Sequence, residues 1–436
     1  MPRVALVVLD TLRKDVFDTY FDWLPGTRFD NAWSSGHYTV SAHGSLFTGK
    51  YPSEIGVHSQ SERFDCSTPS IAEQLQAQNV QTEAISGNLL ASPLNDFDRG
   101  FDEYHPTGRA IALEQELFDW KAARQETTHD GLLRDPILVL KCALRGPNRL
   151  KSLKYGWKLK TGAFHSAEDT LRLIKNRSYD PDHFLYVNLM DVHSPYLPPK
   201  PYRSVEYSEI PLEYAVDMEE RAELQRQAYR DAATYLSDRY HDIFDQLISD
   251  FDYVITVSDH GELFGEYGMR KHIAGVFPEL VHIPLCVSDG SNNITRSDRS
   301  SSLLDVHETI ASIYGIDTES EGNDLLLDNP VDVNYMTEYH GLRPSYRRQL
   351  EESSLSMKRL RDIDHPMRGI IVADDGSYIY QEYDRLCTAD SGKPSDHHSA
   401  LFEEETARLR AYETRIADTP EVGANVEDQL EDLGYL

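Results

Sequence analysis

An α/β sandwich is the fold this sequence predicts, with a central, mostly parallel sheet flanked by helices and a small α+β subdomain at the C-terminal end. Three observations predict it. Residues 4–9, Val-Ala-Leu-Val-Val-Leu, form a continuous β-rich apolar run, the pattern of a strand buried on both faces. The same signature returns at 82–86, 184–189 and 253–257, with helical stretches between the runs, which implies βαβ units. Polar residues cluster just after each run: Asp10, then Asn88, then Asp191 with His193, then Asp259 with His260. Ligands gather at the carboxyl ends of strands in such sheets, so these positions carry the functional expectation.

In chain order, the first run leads to a helix over 71–78 and the strand at 82–86. The alternation breaks at about 105–165, which reads as an insertion. It resumes with a helix over 166–176, where Ser166 and Asp169 have capping-box spacing, then the strand at 184–189, a helix over 219–249 and the strand at 253–257. Past about residue 335 the character changes. Residues 367–373 and 377–383 flank Asp374-Asp375-Gly376 and read as a hairpin, followed by a helix over 401–416 and a short terminal segment at 426–436. The sequence thus divides into a large α/β domain, 1–335, and a small subdomain, 336–436.

Composition narrows the function classes. Asp and Glu total 73 against 43 Lys and Arg, for a formal net charge of -30. Of the basic residues 30 are Arg and only 13 are Lys, so the surface reads as one adapted to high salt, where screening relieves self-repulsion. That charge argues against nucleic acid as a partner, because phosphate contacts need clustered cations. Cys66, Cys142, Cys286 and Cys387 are widely spread and form neither a C-x-x-C pair nor a disulfide framework. The first apolar run is too short for a signal or a span and ends on Asp10, so a cytoplasmic setting is expected.

Two segments carry chemistry. Asp259-His260-Gly261-Glu262 follows the strand at 253–257, and a carboxylate beside an imidazole there can bind a divalent cation, with the glycine giving the backbone room. Asp10, at the end of another central strand, would add a second buried carboxylate, costly if unpaired. The other segment, 37–49, packs hydroxyls and a histidine into a helix start, where anions are favoured.

This second segment resembles the sulfatase signature C/S-x-P-S-R-x-x-L-x-T-G, with Leu46, Thr48, Gly49, Tyr51 and Pro52 fitting its latter half. Further pieces are similar in the same order. They are Asp10-Thr11 after the first strand, Gly100-Phe101-Asp102, Asp191-Val192-His193-Ser194-Pro195-Tyr196, Ser258-Asp259-His260-Gly261-Glu262, Pro278-Glu279 through Ile283-Pro284-Leu285, and the ending Leu433-Gly434-Tyr435-Leu436. The resemblance implies an alkaline-phosphatase/sulfatase-like fold and an ester hydrolase using one divalent cation, with Ca2+ favoured and Mn2+ or Zn2+ compatible. It implies Asp10, Thr39, Asp259 and His260 as metal ligands and Thr39 as nucleophile. His193 would contact the substrate oxyanion or leaving group, and His272, thirteen residues past Asp259, would act as general acid. His43 and Asn88 would hold nonbridging oxygens, with Lys271 a reserve contact.

Departures from the family pattern shape the expected reaction. Threonine cannot give the formylglycine aldehyde through which sulfatases generally act, yet its hydroxyl can attack directly when a metal lowers its pKa. Relatives that use Thr this way are phosphoryl-transfer enzymes. At Gly87-Asn88-Leu89-Leu90 many arylsulfatases show Gly-Lys-x-His, so two cationic sulfate contacts are replaced. The expected substrate is therefore an anionic sulfate or phosphate ester of a glycan or small molecule. The alternatives are transfer of a phospho group to a lipid or glycan, or a silent binder of anionic glycans. Finally, residues 141–160 hold seven cations (Lys141, Arg145, Arg149, Lys151, Lys154, Lys158 and Lys160) and no acid, interleaved with Leu144, Leu150, Leu153, Trp157 and Leu159. That segment fits an anionic membrane surface or a polyanion, or else the chain's own acidic surface.

Overall fold

The computed structural model describes residues 2–113, 117–125, 134–161, 164–208, 210–212, 215–216, 222–328, 330–390 and 392–413. Its main sheet has eight strands: β1 (Val4–Leu9), β2 (Gly26–Trp33), β3 (Gln81–Ser86), β4 (Glu103–Pro106), β5 (His183–Leu189), β6 (Tyr253–Val257), β9 (Leu285–Ser288) and β10 (Ile294–Ser302). Their spatial order is β10-β2-β9-β6-β1-β5-β3-β4. Every pairing is parallel except those of β9, which runs antiparallel to both β2 and β6. A two-stranded ribbon, β7 (Leu263–Phe264) with β8 (Arg270–Lys271), lies outside it.

β1 shows why the fold forms. All six of its residues are fully buried, and successive side chains enter opposite layers. Ala5, Val7 and Leu9 pack with Phe17, Leu171, Leu236 and Tyr240, from helices Lys14–Tyr20, Ser166–Ile174 and Ala222–Asp250. Val4, Leu6 and Val8 pack with Val40, Leu46, Ile71 and Ile310, from helices Thr39–Thr48, Ile71–Ala77 and Leu303–Tyr314. Each such buried aliphatic side chain contributes about 1.5–3 kcal/mol over its exposed state. An unbroken apolar run is therefore what a strand between two helical layers requires.

A second, antiparallel sheet has the order β11-β12-β13-β14, formed by Tyr335–Tyr339, Met367–Ile371, Tyr378–Glu382 and Arg385–Thr388. Helix Asp396–Glu413 brings Phe402 and Leu409 into the same core. That core continues into the main domain: Trp33 of β2 stacks on Tyr378 with ring centroids 4.0 Å apart.

Several local expectations are corrected. At about residue 105, where the insertion was expected to begin, β4 pairs with β3 as the outermost strand of the main sheet. The capping box at Ser166 does not form. The cap position is His165, Ser166 gives its hydroxyl to Asp191 Oδ2, and that carboxylate also accepts the Ala167 N–H at 2.8 Å. The helix expected from residue 401 begins five residues earlier, at Asp396. The terminal segment at 426–436, with its Leu-Gly-Tyr-Leu ending, lies outside the described residues.

Candidate active site

The central strands deliver their polar ends to one place. Asp10 follows β1, Asn88 follows β3, Asn188 is the penultimate residue of β5, and Asp259-His260 follow β6. Because β1 lies between β5 and β6 in parallel register, these ends are brought side by side. One ligand atom from each of Asp10, Asp259 and His260 falls within 4.8 Å of the others, and all three residues are fully buried.

Thr11 holds the two carboxylates. It occupies a left-handed backbone position, φ 63°, rare for a β-branched residue and strained by roughly 1–2 kcal/mol. There its N–H donates to Asp259 Oδ1 at 3.1 Å and its hydroxyl to Asp10 Oδ1 at 3.0 Å. Asn88 and Asn188 donate to Asp10 Oδ2 at 2.7 and 3.2 Å. Gly261 serves by close approach and not by a special φ: a Cβ there would stand 2.1 Å from the Glu279 carbonyl oxygen.

The donor set fits a cation. His260 Nδ1 donates to the Gly261 carbonyl at 2.9 Å, which leaves Nε2 as a bare acceptor. That Nε2 lies 3.5 Å from Asp259 Oδ2, an oxygen that receives no hydrogen bond. Two acceptors facing each other in a buried site are complementary to a positive ion. The carboxylates point the same way. Burial, together with the neighbouring Asp10, drives the Asp259 carboxyl well above its ordinary range. Burial also pushes Asp10 upward, but the His193, His260 and His43 imidazoles outweigh it and hold that carboxyl low.

Thr39 is the first residue of its helix, at the end where N–H groups favour negative charge. Its Oγ1 stands 3.4 Å from His260 Nε2 and 3.4 Å from Asn88 Nδ2. The structure thus brings Asp10, Thr39, Asn88, Asp259 and His260 together. His43 is placed differently from a residue that meets a ligand: it is fully buried, its Nδ1 donates to the Thr39 carbonyl at 2.9 Å, and its Nε2 accepts from the Tyr186 hydroxyl at 2.8 Å. Burial pushes its pKa down to about 4, so it is a neutral strut beneath Thr39.

His193 and His272 complete one wall. The His272 ring centroid lies 4.5 Å from that of His260 and 5.3 Å from that of His193. His193 Nδ1 donates to the Ser194 carbonyl at 2.8 Å, just before a cis Ser194-Pro195 bond. His272 Nδ1 is 3.1 Å from Glu262 Oε1, and Tyr196 donates to Glu262 Oε2 at 2.8 Å. Burial, then the His260 and His193 imidazoles, hold His272 well below its ordinary pKa; burial lowers His193 and His260 too. An arriving anion would offset that cost. Burial raises the Glu262 carboxyl, and Lys271, half-buried at a left-handed position, φ 61°, is among the groups that offset part of that rise. Asp191 caps the helix Ser166–Ile174 and braces the loop.

Sequence reasoning passed over four residues here. Glu262 was visible in the Asp259-to-Glu262 motif, and an acid two residues after a candidate ligand was the signal for a partner to a second histidine. Asn188 sits in an apolar strand, where an amide needs a reason. Tyr196 closes the family-like segment Asp191 to Tyr196, whereas Tyr186 carries no signal, because a buried Tyr is ordinary until its hydroxyl partner is seen.

Fold and site together define a class: α/β proteins that gather buried carboxylates, a histidine and a hydroxyl at the carboxyl edge of the sheet. The sulfatase family model matches residues 19–316, and the chain belongs to the sulfatase family. It is an ester hydrolase of that family. The solved structures it is similar to include phosphonate monoester hydrolases from Silicibacter pomeroyi and Agrobacterium radiobacter. The first is 14% identical with TM-score 0.60, covering 96% of each chain. The second is 13% identical with TM-score 0.61, covering 95% of this chain and 96% of that one. A putative sulfatase from Bacteroides thetaiotaomicron is 14% identical with TM-score 0.59, over 96% and 93% of the two chains. No curated protein matches the chain by sequence.

Proposed function

We propose that the protein hydrolyses anionic esters through a covalent intermediate on Thr39, with phosphorus esters preferred over sulfate esters. One observation carries this reading: the Thr39 hydroxyl lies at a helix N-terminus beside a buried Asp10-Asp259-His260 group whose facing lone pairs call for a divalent cation. The cation would be held by Asp10, Asp259, His260 and Thr39, Ca2+ ahead of Mn2+ or Zn2+ because the site is rich in oxygen. When bound it supplies polarisation of the ester and a lower pKa for the Thr39 hydroxyl.

The chain's own groups do the rest. Thr39 Oγ1 gives up its proton to solvent water and bonds to the central phosphorus or sulfur, while the bond from that atom to the alcohol oxygen breaks. Asn88 donates to a nonbridging oxygen and His193 faces the charge that develops, with Lys271 in reserve. His272, oriented by Glu262, protonates the departing oxygen. Water then cleaves the Thr39 ester and restores the hydroxyl. His43 positions Thr39 through the backbone and touches no reacting atom.

Phosphorus is favoured because threonine has no aldehyde route to release sulfate and Asn88 replaces a cationic contact. Two similar structures are named as phosphonate monoester hydrolases, and another was solved with the substrate D-glucosamine-2-N,6-O-disulfate. The deciding experiment assays aryl phosphate, phosphonate and sulfate esters side by side with each metal ion. Turnover of the phosphorus esters ahead of the sulfate is expected, and sulfate turnover alone would overturn the preference. Adding acceptor alcohols separates hydrolysis from transfer.

A further inference from the structure

We propose that the insertion carries a docking surface for an anionic lipid bilayer, formed by the helices Arg134–Arg145 and Arg149–Thr161. Leu138, Cys142 and Tyr155 are buried inside it, but many of its apolar side chains face solvent. Among the described residues eleven large hydrophobics are exposed, and six of them (Val139, Leu140, Leu144, Leu150, Trp157 and Leu159) lie on this one hairpin. Leu150 is 84% and Trp157 59% exposed, seven residues apart on one helix and so on one face. Soluble chains scatter exposed apolar residues singly, and a cluster marks an interaction surface.

The same surface is the basic exception in a chain of net charge -30. Of the seven cations at 141–160, Lys158 is buried and pairs with Asp169 at the start of helix Ser166–Ile174, tethering the hairpin to the main domain. Within the insertion itself, the Trp120 indole N–H donates to the Ser152 carbonyl at 3.0 Å and braces the hairpin. Arg145, Arg149, Lys151, Lys154 and Lys160 are exposed around the leucines and Trp157. A polyanionic glycan would satisfy these charges but gives Leu144, Leu150 and Trp157 no apolar phase. A bilayer with anionic headgroups takes both, the rings and leucines entering the acyl boundary and the cations remaining at the headgroups. The acidic remainder of the chain is repelled by such a surface, so the protein would dock by this face alone.

The hairpin leads through Phe164 and His165 into the wall of an open cleft that Asp191 and His193 also line. Docking would bring an ester carried on a lipid headgroup to that cleft. This consequence rests on the active-site reading above, whereas bilayer binding itself does not.

Flotation of the full chain with phosphatidylcholine vesicles, with and without phosphatidylglycerol, tests the proposal. Binding is expected with the mixed vesicles, weakening as KCl rises, accompanied by a blue shift in tryptophan emission that Trp157→Phe abolishes. The double variant Lys151→Glu, Lys154→Glu should lower partitioning by at least about 25-fold, roughly fivefold per cation lost. Leu150→Glu should also weaken it, with turnover of a soluble aryl ester unchanged in both variants. Absence of binding to the anionic vesicles, equal binding by the variants, or retention on a sulfated-glycan resin without any vesicle binding would each overturn it.

Discussion

Replacing Asp259 by asparagine should reverse sign with the cation. Asp10 and Asp259 place oxygens within 4.8 Å of one another in a fully buried site. Were both ionised they would repel by ~3.5 kcal/mol at that separation and an effective dielectric of 20, and the raised Asp259 carboxyl is how the metal-free site meets this repulsion, by taking up a proton at a cost of that order. Asp259→Asn removes that cost and sets an N–H donor where the unpartnered Oδ2 stands, while the amide oxygen still accepts from the N–H groups of Thr11 and His260. At ~2.1 cal/mol/K per residue of unfolding entropy, ~3.5 kcal/mol raises the melting temperature of a chain this long by about 4 °C in chelator. The native chain should instead gain about 2.7 kcal/mol, or roughly 3 °C, when a divalent ion is present at about 100 times its Kd. The variant should lose that gain along with turnover. Differential scanning fluorimetry in chelator and in Ca2+, Mn2+ or Zn2+ reads both effects. A variant that melts below the native chain in chelator, or a native chain that no divalent ion stabilises, would refute the reasoning.

Thr39→Ala should lower kcat at least about 10³-fold, because the residual rate would come from binding and charge stabilisation alone. Its melting temperature should barely change, since both side-chain hydrogen bonds of Thr39 are long, at 3.4 Å; Thr39→Ser should keep most activity, and unimpaired turnover by the alanine variant would remove Thr39 from the chemistry. Glu338 tests the seam between the sheets. Burial alone would raise its carboxyl, but His340, Arg368 and the Ser53 N–H hold it at about 2, against an ordinary 4.5. A depressed carboxyl stabilises the fold above its unfolded pKa, and that contribution fades as pH falls from 4.5 towards 2. Glu338→Gln should therefore cost about 3 kcal/mol in urea unfolding at neutral pH and little near the acid end, and an equal cost at both would contradict this. A net charge of -30 predicts that KCl raises the melting temperature by screening self-repulsion, and a flat or falling salt series would count against the high-salt reading.

Much of the main sheet was legible because its strands obey one rule: burial between two helical layers demands uninterrupted apolar runs. β1, β3, β5 and β6 could be read that way. β2, β9 and β10 could not. Arg28 and Asp30 break the apolar pattern of β2, β9 has only four residues, and the largely exposed β10 has almost no apolar residues. β9 also brings the antiparallel pairings, a direction no local pattern encodes. The strand-end polar residues were likewise legible, since a carboxylate following a buried strand needs a partner.

Primary order alone therefore determined which residue types stand at the ends of the central strands, and the acidic character of the whole chain. Tertiary structure decided which of those groups share a site and which way each atom faces. His43 lies one helical turn past Thr39 and looked equally able to meet a ligand, but Tyr186 and the Thr39 carbonyl occupy both its nitrogens. His260 presents a lone pair at Nε2 only because its N–H, at Nδ1, donates to the Gly261 carbonyl. Hydrogen bonds and charge interactions act over a few ångströms between residues that can be hundreds of positions apart. The sequence supplies the groups, and packing alone sets those distances.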